Sequence, residues 1–338
     1  MLQRDREDNE DFKKNLALLS SADAGQRVVA ATALRLYCLA SKNRPLYGED
    51  PVVEKALRDL DEQRIDEVLR TVSARMPSEA DLLVLENYSE LLTAVPRRAL
   101  PYAVNINMRA GPQLARSAAD YVAWGLRNPS QFQDLGCQND ETNPHNSENQ
   151  KQVNEKYDQF KQLVARTPLP FEGSIYKGQR VLPTFELVPV LRTPTLNEFF
   201  QRECRYIVDL SSQMKEDQRV KESSKSYDEL LRAVRVMSAS SLTLNRILQG
   251  VNGQVEQRDL SGTFMVNGTL DELNLSKGMF TSSYITGIAR KFTCEDCDFS
   301  KADLSQFHFS APCNVHNAKF DGVSPEAMKG LNLASCQR

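Results

Sequence analysis

The sequence has few of the side chains that carry most enzyme chemistry, and it lacks the long apolar runs that cross membranes. It contains three histidines in 338 residues, His145, His308 and His316, and one tryptophan. A histidine-based catalytic centre therefore has little material. No run of about 18 apolar residues is present, so we expect no membrane span in this chain. We predict no catalytic residues and no cofactor, and hence a protein that is not an enzyme.

Common enzyme motifs and a strong charge are missing as well. The chain has no G-x-x-x-x-G-K-[ST], no G-x-G-x-x-G after a strand, no H-E-x-x-H and no G-x-S-x-G. Its formal net charge is −3 and its pI is near 5.8. A generally basic nucleic-acid-binding protein is therefore not expected, and we predict no direct nucleic-acid binding.

The N-terminal residues and the cysteines bear on location. The first ten residues are mostly charged and offer no apolar segment for a signal peptide. Seven cysteines are spread thinly over a long chain. This distribution argues against a disulfide framework. We predict free thiols and a cytoplasmic location.

Apolar residues at helical spacing dominate the first 130 positions. Residues 24–40 are predicted to form a helix with an apolar face. Another predicted helix stops at Pro77, and Ser78 with Asp81 suggests a capping pair for the next one. Pro112 is predicted to open a further helix. The apolar positions of these four segments are, in order, Val29, Ala33, Leu36, Ala40; Ile65, Leu69, Val72, Met76; Leu82, Leu85, Tyr88, Leu92; and Leu114, Ala118, Tyr121, Trp124.

The middle of the chain alternates polar linkers with helices. Residues 138–152 have no apolar side chain other than Pro144, which is typical of a mobile loop. A helix is predicted at about 157–166, followed by an irregular proline-rich stretch. Capping boxes at Thr195/Glu198 and Ser226/Glu229, separated by a polar turn at 215–225, predict two helices forming an antiparallel hairpin. The second helix ends at Gly250 and has a heptad seam of Tyr227, Leu230, Val234, Met237, Ser241, Leu244 and Leu248.

A five-residue repeat occupies the last part of the chain. Asp259-Leu260-Ser261, Asn274-Leu275-Ser276, Asp298-Phe299-Ser300 and Asp303-Leu304-Ser305 each join an Asp or Asn to a large apolar residue and a serine. Residues 258–321, about 64 positions, resemble the pentapeptide-repeat family. The earlier helices, with alanine-rich faces such as residues 28–34, loosely resemble HEAT or armadillo repeats, and an orthogonal helical bundle is the alternative.

The resemblance implies a short right-handed quadrilateral β-helix with four pentapeptides in each coil. Residues about 20 apart then stack, so that the coils bury a continuous apolar column. We place one missing residue between Ile285 and Cys294 and one extra residue near Ala311-Pro312. The hairpin and the tail from Ser324 are expected to cover the two open ends. The expected stacks are Leu260–Phe280–Phe299–Phe320, Met265–Ile285–Leu304 and Leu275–Cys294–Val315.

Four residues have a spacing close to that of a zinc ribbon. Cys294 and Cys297 form C-x2-C, and Cys313 and His316 form C-x2-H after fifteen intervening residues. In the repeat register the three cysteines point inward, as small core residues do, while His316 points outward. We therefore predict that they fill space and that the protein holds no metal. A zinc site is the alternative.

The predicted fold is α+β and multidomain: an N-terminal all-α region followed by the β-helix. The predicted domains are residues 1–137 (helical), 138–156 (linker), 157–250 (helical), 251–322 (repeats) and 323–338 (C-terminal cap).

Pentapeptide-repeat proteins are generally not enzymes through their repeats, which favours a non-catalytic interaction or scaffold protein with a protein partner. Two alternatives are an antagonist of a nucleic-acid enzyme such as gyrase and an enzyme whose site lies in the helical region. The repeat region has nine acidic and six basic residues between Glu256 and Asp321, a weak balance for a phosphate mimic. A homo-oligomer through the solenoid end or the hairpin is a further expectation.

Overall fold

The computed structural model describes residues 2–42, 51–125, 155, 159, 216–251, 253–254 and 259–337. In this part of the chain, helices come first and a parallel β-sheet follows, so the predicted mixture of helix and strand is confirmed. The chain divides into two compact units: Met1–Gly111 together with Arg235–Arg338, and Pro112–Val234.

Seven helices and six strands are used below. The helices are α1 (Leu2–Leu18), α2 (Ala24–Lys42), α3 (Pro51–Arg75), α4 (Leu82–Ala94), α5 (Pro96–Gly125), α6 (Glu216–Val251) and α7 (Pro325–Gly330). The strands are β1 (Gly253–Gln254), β2 (Phe264–Asp271), β3 (Leu273–Asn274), β4 (Tyr284–Thr293), β5 (Asp303–Asn314) and β6 (Cys336–Gln337). Short 3-10 turns lie at Met76–Ser78 and Leu333–Ser335.

Helix α2 begins at Ala24 as predicted, but its predicted apolar face points to solvent. The side chains that pack inward are small or medium in size: Ala30, Ala31, Leu34 and Cys38. Val29 and Leu36, from the predicted stripe, are 63% and 62% exposed. Because α2 is apolar around most of its circumference, helical periodicity alone does not identify the buried side.

The starts of two other helices also differ from the prediction. The N-cap of α4 is Asp81, whose carboxylate accepts from the backbone N–H groups of Leu83 and Val84. Ser78 does not take part in this cap, because its hydroxyl bonds the Arg75 carbonyl at 2.9 Å. Pro112 does not open a helix, since α5 runs through it from Pro96 to Gly125.

The predicted polar turn at residues 215–225 is wrong, because α6 is helical from Glu216. No glycine or proline lies between residues 216 and 249 to interrupt the helix. Ser226 consequently lies inside the helix and is not its cap. The predicted seam is buried from Leu230 onward, whereas Tyr227 is 49% exposed.

Several predictions fall outside the described residues. They are the polar loop at 138–152, the helix at 157–166 apart from residue 159, the proline-rich stretch, the Thr195/Glu198 capping box and the helix that follows it. The first arm of the predicted hairpin lies among them.

The strands of the C-terminal part pair in parallel, in the order β1-β3-β4-β5-β6, and β2 pairs with β4. The register confirms the three predicted stacks. Parallel β-bridges, for example, join Met279 to Asp259 and to Asp298, and join Asp298 to Lys319. The next residue after each of these four therefore lies in one stack. The Phe280 and Phe299 rings stack at 4.7 Å, and Phe299 and Phe320 stack at 5.3 Å. A fourth stack that was not predicted is Leu270–Ala289–Phe309.

The two predicted irregularities in the repeat are present. In the pairing of β2 with β4, Met265 aligns with Ile285 and Gly268 aligns with Gly287. The segment of β4 is one residue shorter than that of β2, so the missing residue falls within β4. Gly287 has a φ of +119°, and a Cβ there would lie 2.1 Å from the Gly268 carbonyl oxygen. Glycine is required because the two backbones approach so closely. The extra residue is at Ala311-Pro312, where the β4–β5 register shifts again.

The Asp or Asn of each repeat bonds its own backbone. Asp298 accepts from the Ser300 N–H at 2.9 Å. Hydrogen bonds from the Ser300 hydroxyl and from its N–H lower the pKa of the Asp298 carboxyl. Such a bond closes a tight turn from residue i to residue i+2, which explains why the repeat places Asp or Asn at this position. Equivalent bonds are made by Asp259, Asn274, Asp303 and Asn314.

Helices α5 and α6 cover the free edge of β2. The Asn107 side chain of α5 donates to the Phe264 carbonyl at 2.8 Å and accepts from the Phe264 N–H at 2.6 Å. Gln249 of α6 donates to the Thr269 carbonyl at 2.9 Å. A side-chain amide thus occupies the place of a neighbouring strand, which closes an edge that would otherwise be open to pairing.

The C-terminal tail covers β5 at the other end. The Phe309 N–H donates to the Leu331 carbonyl at 3.0 Å, and the Val315 N–H donates to the Gln337 carbonyl at 2.9 Å. Strand β6 pairs with β5, and a disulfide joins Cys313 to Cys336. These contacts support the prediction that the tail acts as a cap.

Candidate functional site

The cysteines of the repeat form disulfides. Cys294 bonds Cys297, and Cys313 bonds Cys336. The prediction of free thiols is therefore wrong for these four. Cys294 and Cys297 occupy neighbouring inward positions of one turn, which brings their Cα atoms within 5.4 Å. Cys336 belonged to no motif in the sequence, and its pairing with Cys313 depends on the tail lying against β5.

The zinc alternative does not hold in this arrangement. Cys294, Cys297 and Cys313 are all in disulfides, whose sulfurs are not the thiolates that zinc binds. The fourth member, His316, is exposed. Among the described residues, no three metal-ligating side chains form a group that could hold an ion.

Cys38 is the free cysteine in the described part of the chain. It is fully buried on α2, and burial raises the pKa of its thiol to about 12. The thiolate is the nucleophilic form of cysteine, so this residue is unreactive near neutral pH. It is a packing residue of the helical core.

A groove of about 510 Å³ lies beside the Cys313–Cys336 disulfide. It is lined by Phe292, Pro312 and the ends of β5 and β6, together with Lys291. The Lys291 ammonium is already paired with the Glu272 carboxylate at 2.7 Å. The groove does not bring together a nucleophile and a base, so it offers no catalytic arrangement.

A buried polar cluster lies between α4, α5 and α6. The Ser89 and Thr243 hydroxyls are hydrogen-bonded to each other, and the Asn107 amide donates to the Ser240 hydroxyl at 3.3 Å. Ser240 and Thr243 also bond carbonyls of their own helix. Because these groups satisfy one another, the cluster is a structural network that orients Asn107 toward β2.

The solvent face of α2 is the feature best suited to binding another protein. Val29, Ala33, Leu36 and Ala40 form a continuous apolar line, here named the α2 stripe. Val29 and Leu36 are the most exposed large hydrophobic residues in the described part of the chain. Leu83 of α4 is also exposed, by 48%.

Polar contacts to α4 hold the α2 stripe in place. The Thr32 hydroxyl contacts the Asn87 side chain at 3.1 Å, and the Arg35 guanidinium pairs with the Glu90 carboxylate at 2.6 Å. Both pairs lie along the α4 side of α2, so the stripe is presented by two joined helices. A surface helix normally directs polar side chains outward, and an aligned apolar face is typical of an interaction site.

No protein-family profile, curated protein or solved structure matches this chain. In the described ranges, no helix is both long enough and apolar enough to cross a membrane.

Proposed function

We propose that this protein is a non-catalytic protein-interaction or scaffold protein and that the α2 stripe is its binding surface. The observation that carries this proposal is the exposure of Val29 and Leu36 on a face without charged side chains. Leaving two large aliphatic side chains in water forgoes about 1.5–3 kcal/mol for each one that could be buried. A protein partner would recover that free energy.

The C-terminal sheet is, in this proposal, a right-handed quadrilateral β-helix of the pentapeptide-repeat family. Three features support it: stacks that recur about every 20 residues, turns closed by Asp or Asn, and residues with a left-handed backbone conformation (positive φ) at recurring positions. Lys277, Asp296 and Asn317 are one such series, with φ between 54° and 65°. The solenoid would act as a stiff support and not as the binding surface.

The helices and the sheet act together in this proposal. Asn107 and Gln249 attach α5 and α6 to β2, and α2 belongs to the same compact unit as the sheet. A rigid support keeps the α2 stripe in a fixed orientation, which lowers the entropy lost on binding. The expected partner is therefore a protein with a preformed apolar face.

The cytoplasmic location stays a prediction, and the two disulfides count against it. Disulfides persist in oxidising compartments and are rare in a reducing cytosol. Alkylation of free thiols in the intact source cells, followed by peptide mapping, tests the location. Unmodified, linked Cys313 and Cys336 would favour an oxidising compartment, and alkylated cysteines would favour the cytosol.

Site-specific photo-crosslinking tests the binding surface. A photoreactive phenylalanine is placed at position 36 and, as the matched control, at Lys55, which is exposed on α3. We expect a discrete crosslinked protein band from position 36 that Val29→Glu abolishes and that position 55 does not give. Equal crosslinking from both positions, or none from position 36, would contradict the proposal.

A further inference from the structure

The α2 stripe has a spacing that reads the same in both directions along the helix. Its members lie at positions 29, 33, 36 and 40, so the intervals are four, three and four residues. This is the seam of a coiled coil, in which alternate seam positions recur every seven residues. The large residues Val29 and Leu36 occupy one kind of seam position, and Ala33 and Ala40 occupy the other.

This arrangement is complementary to itself under two-fold symmetry. When two α2 helices lie antiparallel with the axis between residues 34 and 35, Val29 faces Ala40 of the second copy. Ala33 then faces its Leu36, and the same two contacts recur in reverse. In a two-fold interface, if residue i contacts residue j, then j contacts i. Each of the four layers of the seam then contains one large and one small side chain.

We infer that the occupant of the α2 stripe is a second copy of this chain, bound antiparallel through α2. This inference rests on the proposed function, because it takes the stripe as an interaction surface. The alanines allow the two backbones to approach closely, while Val29 and Leu36 fill the space opposite them. A parallel pair would alternate layers of two alanines with layers of two large residues and would pack unevenly.

The charges next to the stripe do not oppose this pairing. No charged side chain lies within the stripe, and the neighbouring Arg35 is paired with Glu90 of its own chain. One helix pair buries less than the ~1,200 Å² of a standard interface, so we expect a weak dimer with a dissociation constant on the order of 10–100 μM.

Sedimentation equilibrium of the full chain tests the inference through charge pairs. Ala33→Glu alone and Leu36→Lys alone each place an unpaired charge opposite an apolar residue. Each is expected to raise the dissociation constant at least about tenfold. In the double variant Ala33→Glu/Leu36→Lys, the carboxylate at position 33 of each copy faces the ammonium at position 36 of the other, and dimerisation should return. A parallel dimer would place like charges opposite each other and would not be restored.

Lys55→Glu on α3 is the matched control and should dimerise like the natural chain. Circular dichroism verifies that each variant is folded. Val29→Glu and Ala40→Lys form a second set at exposed positions, which keeps the test decisive if Ala33→Glu does not fold.

Three outcomes would overturn the inference: a natural chain monomeric at about 500 μM, single variants that still dimerise, or a double variant that stays monomeric. A monomeric natural chain that still crosslinks a different protein from position 36 would leave the proposed function standing.

Discussion

At the scale of single residues, amide and carboxylate side chains make the hydrogen bonds that close the turns and cover the edge of the repeat region. Asp298 and its equivalents close each turn, and Asn107 takes the place of a strand beside Phe264. Asn107 is fully buried, so its hydrogen bonds are not shared with solvent. A primary amide suits this position because it donates and accepts side by side, as a peptide group does.

Replacing Asn107 with leucine should lower the free energy of unfolding by about 1–3 kcal/mol. The leucine fills similar space but leaves the N–H and the carbonyl of Phe264 without these two partners. Chemical denaturation monitored by circular dichroism measures the change. Gln249→Leu is the control, since it removes one hydrogen bond at an exposed site and should cost under about 1 kcal/mol. Equal losses in the two variants would show that Asn107 has no special role at the edge.

Replacing Phe299 with aspartate should unfold the sheet. Phe299 stacks between Phe280 and Phe320 and is 1% exposed, so the new carboxylate would be buried without a partner. Loss of the ring costs roughly 3–5 kcal/mol even as alanine, and the charge adds to that. Thermal melting compares it with Lys301→Asp, where the side chain is exposed at a φ of 60° that aspartate tolerates. That control should cost under about 0.5 kcal/mol. Similar melting shifts would contradict the register.

At the scale of elements, the tail from α7 to β6 contributes its own strand and disulfide to the end of the sheet. Backbone bonds join Leu331 to Phe309 and Gln337 to Val315, and Cys336 is bonded to Cys313 across 23 residues. Strand β6 is only two residues long, so its pairing alone offers little stability. We therefore expect the Cys313–Cys336 disulfide to be the main link that holds β6 against β5.

Cys336→Ser should release β6 and lower stability by about 2–4 kcal/mol, the usual effect of removing a disulfide that closes a loop of this kind. Hydrogen exchange by NMR measures it directly, because the Val315 amide should lose protection while the Met265 amide keeps it. Ser335→Ala, in the same segment, is the control and should leave both amides protected. Protection of Val315 in Cys336→Ser would show that pairing holds the tail without the disulfide.

At the scale of the whole molecule, the helices up to Gly111 and the sheet belong to one compact unit although they are far apart in the chain. Residues 1–111 and 235–338 cluster together, and Asn107 crosses between them to Phe264. Contacts of such long range require both parts to be folded at once, which makes their unfolding cooperative. The stability of the sheet should therefore depend on helices encoded some 150 residues earlier.

A fragment that starts at Asn252 should self-associate, because it exposes the edge of β2 that Asn107 and Gln249 cover. A fragment that starts near Pro194 keeps α6 but lacks α5, so it should melt below the full chain. Light scattering and thermal melting compare the three proteins. A monomeric fragment from Asn252, as stable as the full chain, would show that the helices do not cap the sheet.

The local sequence pattern was sufficient to predict those parts of the structure in which contacting residues are close in sequence or recur at a fixed interval. The stacks around Phe299 and both irregularities were predicted, because each side chain repeats at a nearly constant interval. Helix α2 was predicted from the helical spacing of its apolar residues. Of the candidate site, only the alignment of its apolar residues was predicted. Val29 and Leu36 were assigned to one face of a helix, but the pattern did not show whether that face is buried or exposed.

Tertiary structure alone decided which side of α2 is buried, where Asn107 points and which cysteine Cys313 meets. Helix α2 is apolar on two sides, and only the positions of its neighbours choose between them. The Asn107–Phe264 and Cys313–Cys336 pairs join residues 157 and 23 positions apart, with no repeat to relate them. A periodic sequence determines its own register, whereas a contact between unrelated segments depends on how the whole chain packs.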